Sequence, residues 1–234
     1  MSVTRNIQSS ALFSMPFLGY QPVNISNGEP AITAANLTKQ TILGPPFKWN
    51  YNRGHLTIPL SVDDQDYFQT MTDFGFLEQA WLTDDKGIVK EIEVRLGLSA
   101  ESAVKRPSSI SAQTMETDGD VTFRLNTIPD QPYTLDASYQ KAPVLMSSLA
   151  NTWGPIPDHL SYIYDWGFLS FVSLLTKDAR FPIFGGRFTA HLLGAQDGLT
   201  ALQRNIFLGN FLEVMTQTGR AQMQAQQGVQ ARGQ

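Results

Sequence analysis

The sequence predicts an α+β protein, in which an antiparallel β-sandwich or small barrel is followed by a C-terminal helical region. Apolar and polar residues alternate from about His55 to Tyr139, which is typical of half-buried strands. From Asp158 onward, apolar residues recur at the i, i+3, i+4 spacing of a helix with one buried face. Between these segments, prolines and a glycine in residues 153–158 interrupt any regular element.

The composition excludes several classes of protein. Charged residues make up 16% of the 234-residue chain, against about 25% in typical globular proteins. Two interpretations remain: a surface covered by other subunits, which we favour, or a monomer with a neutral polar surface. The net charge of −4 argues against a protein that wraps nucleic acid, since such proteins carry a basic face.

The chain contains no cysteine, which excludes a disulfide framework, a thiolate zinc site and a cysteine nucleophile. Its first twenty residues lack the apolar core and cleavage site of a signal peptide. No run reaches the roughly 18 apolar residues of a membrane span. We therefore expect a soluble protein with no membrane partner.

Residues 1–46 are predicted to form an N-terminal extension with one short helix. Prolines and glycines within residues 1–28 are expected to prevent any long element there. The helix is predicted from Pro30, which suits a first helical position, to Leu43, and Gly44-Pro45-Pro46 ends it. The segment Phe47–Arg53 alternates aromatic and polar residues, which indicates a strand.

Residues 47–140 are predicted to form an antiparallel β-domain of about six strands. Clear alternation covers the runs 56–60, 92–96, 121–125 and 133–139. Pro59 would place the first of these strands at a sheet edge. The predicted turns are Asp84-Asp85-Lys86-Gly87, Asp118-Gly119 and Pro129-Asp130, of which Asp-Gly is a strong hairpin signal.

Residues 141–218 are predicted to be helical and residues 219–234 to form a polar C-terminal tail. Asp158 is the predicted N-cap of the first helix. Pro182 beside Gly185-Gly186 is expected to separate it from a second helix. That helix carries a 4-3-4-3-4 packing stripe of Phe188, Leu192, Ala195, Leu199, Leu202 and Ile206. The tail contains six glutamines and needs a partner to become ordered.

No constellation in the sequence indicates catalysis, and we expect no enzyme activity, metal or cofactor. The histidines His55, His159 and His191 share no metal-ligand spacing. The run Asp63-Asp64-Gln65-Asp66 lacks the glycine and glutamate of a calcium loop. Glu91 and Glu93 with Arg95 indicate a solvated or interfacial strand face, and Gly185-Gly186-Arg187 indicates a turn rather than an anion site.

Several short segments of the sequence, which we call phrases, carry a family resemblance. They are Gln65-Asp66-Tyr67, Arg106-Pro107-Ser108-Ser109-Ile110, Phe123-Arg124-Leu125, Ile128-Pro129-Asp130, Tyr133-Thr134-Leu135, Tyr139-Gln140-Lys141-Ala142-Pro143 and Ile156-Pro157-Asp158-His159-Leu160. This order resembles the head-to-tail adaptor proteins of tailed bacteriophages, of the kind called tail tubular protein A. The similarity covers roughly residues 60–180, and the region up to about Arg53 extends beyond the shorter family members.

The resemblance implies a virion structural protein, assembled in the host cytoplasm, that forms a ring of commonly twelve copies. The ring would join the portal to the downstream tail and conduct double-stranded DNA during ejection without binding it specifically. The helical part would dock on the portal and the β-domain would face the tail. Candidate interface residues near the C-terminus are Arg204, Phe207, Phe211, Arg220 and Arg232.

Two alternatives remain at this stage. The protein could occupy another ring position in the neck or tail, such as a terminator or tube component. It could instead be a non-enzymatic carbohydrate-binding module, in which Trp49 or Trp81 lines the site. The four tryptophans, Trp49, Trp81, Trp153 and Trp166, are scattered along the chain, so their spacing does not by itself support a sugar-stacking platform.

Overall fold

A computed structural model describes residues 2–24, 26–98, 101–115, 119–196 and 198–211. The chain divides into two compact units. Leu43–Pro143 forms one, which we call the barrel unit. Met1–Ile42 and Val144–Gln234 together form the other, which we call the helical unit. The sequence did not indicate that the N-terminal segment belongs with the C-terminal helices.

The barrel unit is a seven-stranded sheet that curls into a nearly closed barrel. Along the sheet the strand order is β1-β7-β3-β4-β5-β6-β2. The strands are β1 (Arg53–Leu60), β2 (Asp66–Thr70), β3 (Phe74–Thr83), β4 (Val89–Val94), β5 (Ser109–Met115), β6 (Asp120–Leu125) and β7 (Tyr133–Lys141). With the helices described below, this confirms the predicted α+β class. The sheet is mixed rather than purely antiparallel, because β4 and β5 pair in parallel.

The alternating runs are buried largely as predicted. Val121, Phe123 and Leu125 of β6 point into the core, as do Tyr133 and Leu135 of β7. Pro59 lies on β1, which pairs with β7 alone among the described strands. The edge prediction is therefore confirmed.

Two local predictions in the barrel unit were wrong. In the segment Phe47–Arg53, which was predicted to be a strand, only Arg53 belongs to one, and the rest is a loop with a short 3-10 helix, Asn50–Asn52. The run 92–96 is too long, because β4 ends at Val94 and the Leu96 side chain is fully exposed. Alternating apolar and polar residues indicate burial only within the strand itself, and β4 ends before Leu96.

The predicted turns occur where expected. Gly87 adopts a φ of 75°, and its N–H donates to the Asp84 carbonyl at 3.0 Å, which closes the β3–β4 hairpin. Gly119, with a φ of 91°, precedes β6 in the β5–β6 hairpin, while Asp118 lies outside the described residues. Pro129-Asp130 connects β6 to β7, which are not neighbours in the sheet.

The helical unit contains α1 (Ile7–Leu18), α2 (Ala31–Leu43), α3 (Ser161–Leu175), α4 (Phe181–Gly194) and a helix over residues 201–211. Helix α2 confirms the prediction for Pro30–Leu43. Helix α1 overturns the prediction that residues 1–28 hold no long element. Its N-cap is Asn6, whose side chain accepts from the Ser9 N–H at 3.0 Å, and it ends at Gly19 with a φ of 81°. The Pro16 ring falls within its last turn.

Helix α3 also differs from its prediction. Asp158 was expected to cap it, but Asp158 lies in a preceding 3-10 helix, Asp158–Leu160, and its carboxylate binds the N-terminal segment instead. The helix is buried nearly all round rather than on one face, and its buried residues include Asp165 and Val172. It is therefore the central helix of this unit.

Helix α4 begins at Phe181, so Pro182 and Gly185-Gly186, which were predicted to separate two helices, lie inside it. The helix ends at Gly194, and the chain resumes helical structure at residue 201. The predicted packing stripe is consequently broken: Phe188 and Leu192 are buried, whereas Leu202 and Ile206 are exposed. The tail of residues 219–234 lies outside the described residues.

Candidate interaction surface

Five aromatic rings from three helices meet on the helical unit. Phe13 and Phe17 of α1 lie 5.7 and 5.2 Å from the Trp166 ring of α3, measured between centroids. Phe184 and His191 of α4 each lie 6.4 Å from the same ring. Edge and tilted ring packing of this kind adds to the stabilisation that burial provides. We call these five residues the aromatic surface.

The aromatic surface is only partly covered. The side chains of Phe13, Phe17, Trp166 and His191 are half-buried. Ile183, beside Phe184 on α4, is 62% exposed, and Leu12 on α1 is 55% exposed. Exposed apolar side chains that adjoin half-buried aromatic rings are typical of a surface that binds another protein.

The charge on this surface is weakly positive. The Arg187 guanidinium lies 4.8 Å from the centroid of the Trp166 ring, within the range of a cation–π contact. Helices α1 and α4 contain no aspartate or glutamate. Arg180, just before α4, donates to the Phe17 carbonyl at 2.6 Å and pairs with Asp178. The surface therefore combines ring faces with guanidinium groups.

A buried polar network fixes α1 against α3. Asp165 is 3% exposed, and its carboxylate accepts from the Ser10 hydroxyl at 2.6 Å and pairs with Arg5 at 2.7 Å. The Trp153 indole N–H donates to the same Ser10 hydroxyl at 3.0 Å. Burial raises the pKa of Asp165 to about 6, although Ser10 and Arg5 act to lower it.

A second carboxylate holds the start of the chain. Asp158 accepts from the Thr4 N–H at 2.9 Å, the Thr4 hydroxyl at 2.7 Å and the Ser2 hydroxyl at 3.0 Å. Its own N–H donates to the Ser2 carbonyl at 3.0 Å. Hydrogen bonds from Thr4 lower the pKa of Asp158 to about 2. Asp158 and Asp165 together thus position the segment that leads into α1.

The centre of the unit is aromatic and tightly packed. Trp153 stacks on Tyr164 with 4.6 Å between ring centroids, and both side chains are fully buried. Gly167 lets α2 and α4 approach α3, because a Cβ there would lie 2.6 Å from the Thr38 methyl and 2.8 Å from the Phe188 ring. This packing supports the aromatic surface from beneath.

The three histidines considered in the sequence lie on different elements. His55 on β1 and His159 before α3 are exposed, and only His191 joins an aromatic cluster, with Tyr162 at 5.4 Å and Trp166. Within the described ranges, no group of three or more histidine, aspartate or glutamate side chains is arranged to hold a metal ion.

The acidic candidates serve local structure. Asp66 forms a two-point ion pair with Arg124, with both contacts at 2.6 Å, and Asp64 accepts from the Ser61 hydroxyl at 2.6 Å. Glu93 pairs with Arg95 on the exposed face of β4. These contacts give Asp64, Asp66 and Glu93 local structural roles.

The tryptophan candidates for sugar binding differ in exposure. Trp49 is 6% exposed and stacks on Tyr51 at 5.3 Å, so it offers no open ring face to a sugar. Trp81 is half-buried on β3. Glu78, on the same strand, is buried and accepts hydrogen bonds from Arg53 and Gln140. Burial acts to raise the pKa of Glu78, but these hydrogen bonds outweigh burial and the pKa is lowered.

The predicted C-terminal interface residues are described only in part. Arg204 donates to the carbonyls of Gln196 and Leu199 at 3.0 and 3.3 Å. Phe207 stacks on Phe211, and Phe211 packs against Phe188. These three side chains therefore contact the chain itself. Arg220 and Arg232 lie outside the described residues.

Comparison with known proteins does not assign a class. No family model matches the sequence, and no characterised protein matches it significantly. In the described part of the chain, no helix combines the length and apolar character needed to span a membrane.

Sequence reasoning missed Phe13, Phe17 and Phe184, and it noted Trp166 and His191 only singly. Phe13 and Phe17 have the i, i+4 spacing of one helix face. That signal was present, but the proline between them argued against a helix. The meeting of three helices at Trp166 has no local sequence signature.

Proposed function

We propose that the protein is a virion structural protein that forms a ring in the neck or tail of a tailed bacteriophage. In this role it joins the portal to the tail and lets double-stranded DNA pass. It acts as a copy-to-copy and protein-to-protein connector without an enzyme activity or cofactor. It belongs to the virion and assembles in the cytoplasm of the bacterial host.

The observation that carries this proposal is that the phrases that resemble the adaptor family contact one another in the barrel unit. Asp66 of the first phrase pairs with Arg124 of the third. The Tyr133 hydroxyl donates to Asp130 at 2.8 Å, and the Arg106 guanidinium lies 5.5 Å from the Tyr133 ring. These contacts place the residues of these phrases in the framework of one barrel.

Two further phrases also have structural roles. Gln140 accepts from the Trp49 N–H at 3.1 Å and donates to Glu78 at 2.8 Å. Asp158 holds the N-terminal segment, as described above. The resemblance therefore concerns residues that determine the fold, which supports a shared architecture and, with it, a shared structural role.

The charge distribution favours the conduction of DNA. Residues 43–143 contain 15 acidic and 9 basic residues, a net charge of −6, and the rest of the chain contains 6 acidic and 8 basic residues, a net charge of +2. Acidic surfaces repel phosphates and do not retain a duplex. The acidic barrel unit is therefore suited to line a passage for DNA. The aromatic surface is suited to bind other proteins.

Electron microscopy of the purified protein, with its mass in solution, tests this proposal. Twelve copies of the 26.0 kDa chain would have a mass of about 310 kDa and appear as rings, alone or with the portal protein of the same phage. The double variant Trp166→Ala/Ile183→Glu should reduce binding to the portal or to other copies. A matched control, Leu96→Glu, changes an exposed apolar residue of the barrel unit.

The proposal would be contradicted if the protein stays monomeric, does not bind the portal protein and is absent from purified virions. Rings that form without portal binding would instead favour another ring position, such as a terminator or tube component. The candidate interface residues Arg204, Phe207 and Phe211 stay a prediction for the portal contact, as do Arg220 and Arg232.

A further inference from the structure

The aromatic surface carries a guanidinium group without an acidic partner. Arg187 is exposed, and its guanidinium lies over the Trp166 ring. Among the described residues, this guanidinium forms no hydrogen bond or ion pair. Ile183, one turn earlier on the same side of α4, is 62% exposed. These two side chains suit a partner that offers a carboxylate beside an apolar group.

The outer face of the barrel unit offers such a pair. Ala80 on β3 and Ile92 on β4 belong to the core, so the adjacent Trp81 and Glu91 face outward. Trp81 and Glu91 are paired directly opposite each other. Val89, two residues before Glu91 and on the same face of β4, is 61% exposed.

Carboxylates flank the Trp81 ring on both sides. Asp136 of β7 is paired opposite Trp81 from the other neighbouring strand, and it accepts from the Thr57 hydroxyl at 2.6 Å. Directly opposite residues of antiparallel strands have Cβ atoms roughly 5 Å apart. Within the described ranges, neither Glu91 nor Asp136 forms an ion pair with a basic side chain. We call Val89, Trp81, Glu91 and Asp136 the acidic face.

The two surfaces match in charge and in spacing. Helices α1 and α4 contain no aspartate or glutamate, and the acidic face contains no lysine or arginine. Four residues of an α-helix rise about 6 Å, and two residues of a strand rise about 6.7 Å. Ile183 and Arg187 are therefore separated by nearly the same distance as Val89 and Glu91. Two copies of the acidic face would repel each other, whereas the acidic face and the aromatic surface attract.

We propose that the aromatic surface of one copy binds the acidic face of a second copy. The Arg187 guanidinium pairs with Glu91 of the second copy, and Ile183 packs on Val89 of that copy. The two surfaces are different patches, so the contact is head-to-tail and can repeat from copy to copy until a ring closes. This inference rests on the proposed ring function and names the contact that builds the ring.

Charge reversal tests the contact. Arg187→Glu and Glu91→Arg each bring like charges together and should weaken self-association at least about tenfold. The double variant Arg187→Glu/Glu91→Arg restores opposite charges at every contact and should recover most of the loss. Asp63→Arg, which reverses an exposed charge in the loop between β1 and β2, is the control and should assemble normally. Analytical ultracentrifugation measures self-association, and circular dichroism checks that every variant is folded.

Disulfide cross-linking gives an independent test, because the chain contains no cysteine. Val89→Cys and Ile183→Cys each replace an exposed apolar residue. Mixed and mildly oxidised, the two variants should give a covalent dimer in at least about tenfold greater yield than either variant alone, because the contact holds the thiols together. Leu96→Cys mixed with Ile183→Cys is the control and should not cross-link.

The outcomes separate this inference from the proposed function. If rings form but the charge reversals assemble normally, or the double variant recovers nothing, or the mixed cysteines do not cross-link, the contact is overturned and the ring function stands. If Arg187→Glu abolishes only binding to the portal, the aromatic surface is a portal contact, and the inference is overturned as well. If the natural chain neither self-associates nor binds the portal, both are overturned.

Discussion

At the scale of single residues, Asp158 and Asp165 lie seven positions apart, and folding shifts their pKa values in opposite directions. Asp158 is held in a set of donors from the N-terminal segment, which lowers its pKa to about 2. Asp165 is buried with only Arg5 and Ser10 as partners, and burial raises its pKa to about 6. From the sequence, Asp158 was predicted to cap a helix and Asp165 was given no role. The reason is that the hydrogen-bond partners of both carboxylates lie about 155 residues away in the chain.

Asp165 should make stability depend on pH. An unfolded aspartate has a pKa of about 3.9, so the folded chain binds more protons than the unfolded chain between about pH 4 and pH 6. Its stability should therefore fall as the pH rises through this range. The free energy of unfolding of the natural chain, measured relative to that of Asp165→Asn, should therefore decrease between pH 4 and pH 6. The decrease should be at most about 3 kcal/mol. Urea titrations at each pH measure it, and parallel pH profiles would contradict the expectation.

Asp158 should act in the opposite direction and at lower pH. Its pKa is depressed on folding, so its stabilisation is present above about pH 4 and lost as the pH falls through about 2. Asp158→Ala should lower the melting temperature at neutral pH, and the difference from the natural chain should vanish near pH 2. Asp85→Ala, in the exposed β3–β4 turn, is the control and should leave the melting temperature nearly unchanged at neutral pH. Equal shifts for the two variants would refute a special role for Asp158.

At the scale of elements, two glycines in the helical unit test which helix contacts are close. A Cβ at Gly167 of α3 would lie 2.6 Å from Thr38 and 2.8 Å from Phe188, whereas Gly186 of α4 has no atom within 4 Å of such a Cβ. Gly167→Ala should cost about 1–3 kcal/mol through overpacking. Gly186→Ala should stabilise the helix by about 1 kcal/mol, since alanine favours helices. Thermal unfolding of the two variants compares them, and similar effects would argue against tight packing at Gly167.

The elements also show what sequence patterns can and cannot predict. Strand β6 and the first half of β7 follow from alternation because buried and less buried residues alternate there, and the β3–β4 turn follows from Gly87. Helix α1 was missed because prolines and glycines were expected to break residues 1–28, whereas Pro16 lies within its last turn and Gly19 ends it. The aromatic surface depends on which helices pack together, and no local pattern carries that information.

At the scale of the whole molecule, the barrel unit is an insertion within the helical unit. Its first and last strands are neighbours in the sheet, since Arg53 on β1 is paired opposite Gln140 on β7. Its core cluster, which includes Ile58, Phe123 and Leu135, contains only residues of this unit. A segment with its own core has the anatomy of a domain that folds alone.

This anatomy predicts different results for two fragments of the chain. Residues 43–143 alone should fold cooperatively, with β-type circular dichroism and a single urea transition. Residues 144–234 alone should not, because they lack α1 and leave Trp153 and Asp165 without their Ser10 partner. Adding a separate peptide of residues 1–42 should restore helical signal to this second fragment. If residues 144–234 fold without the peptide, the N-terminal segment is an appendage; if only the peptide restores the fold, both ends of the chain jointly build the helical unit.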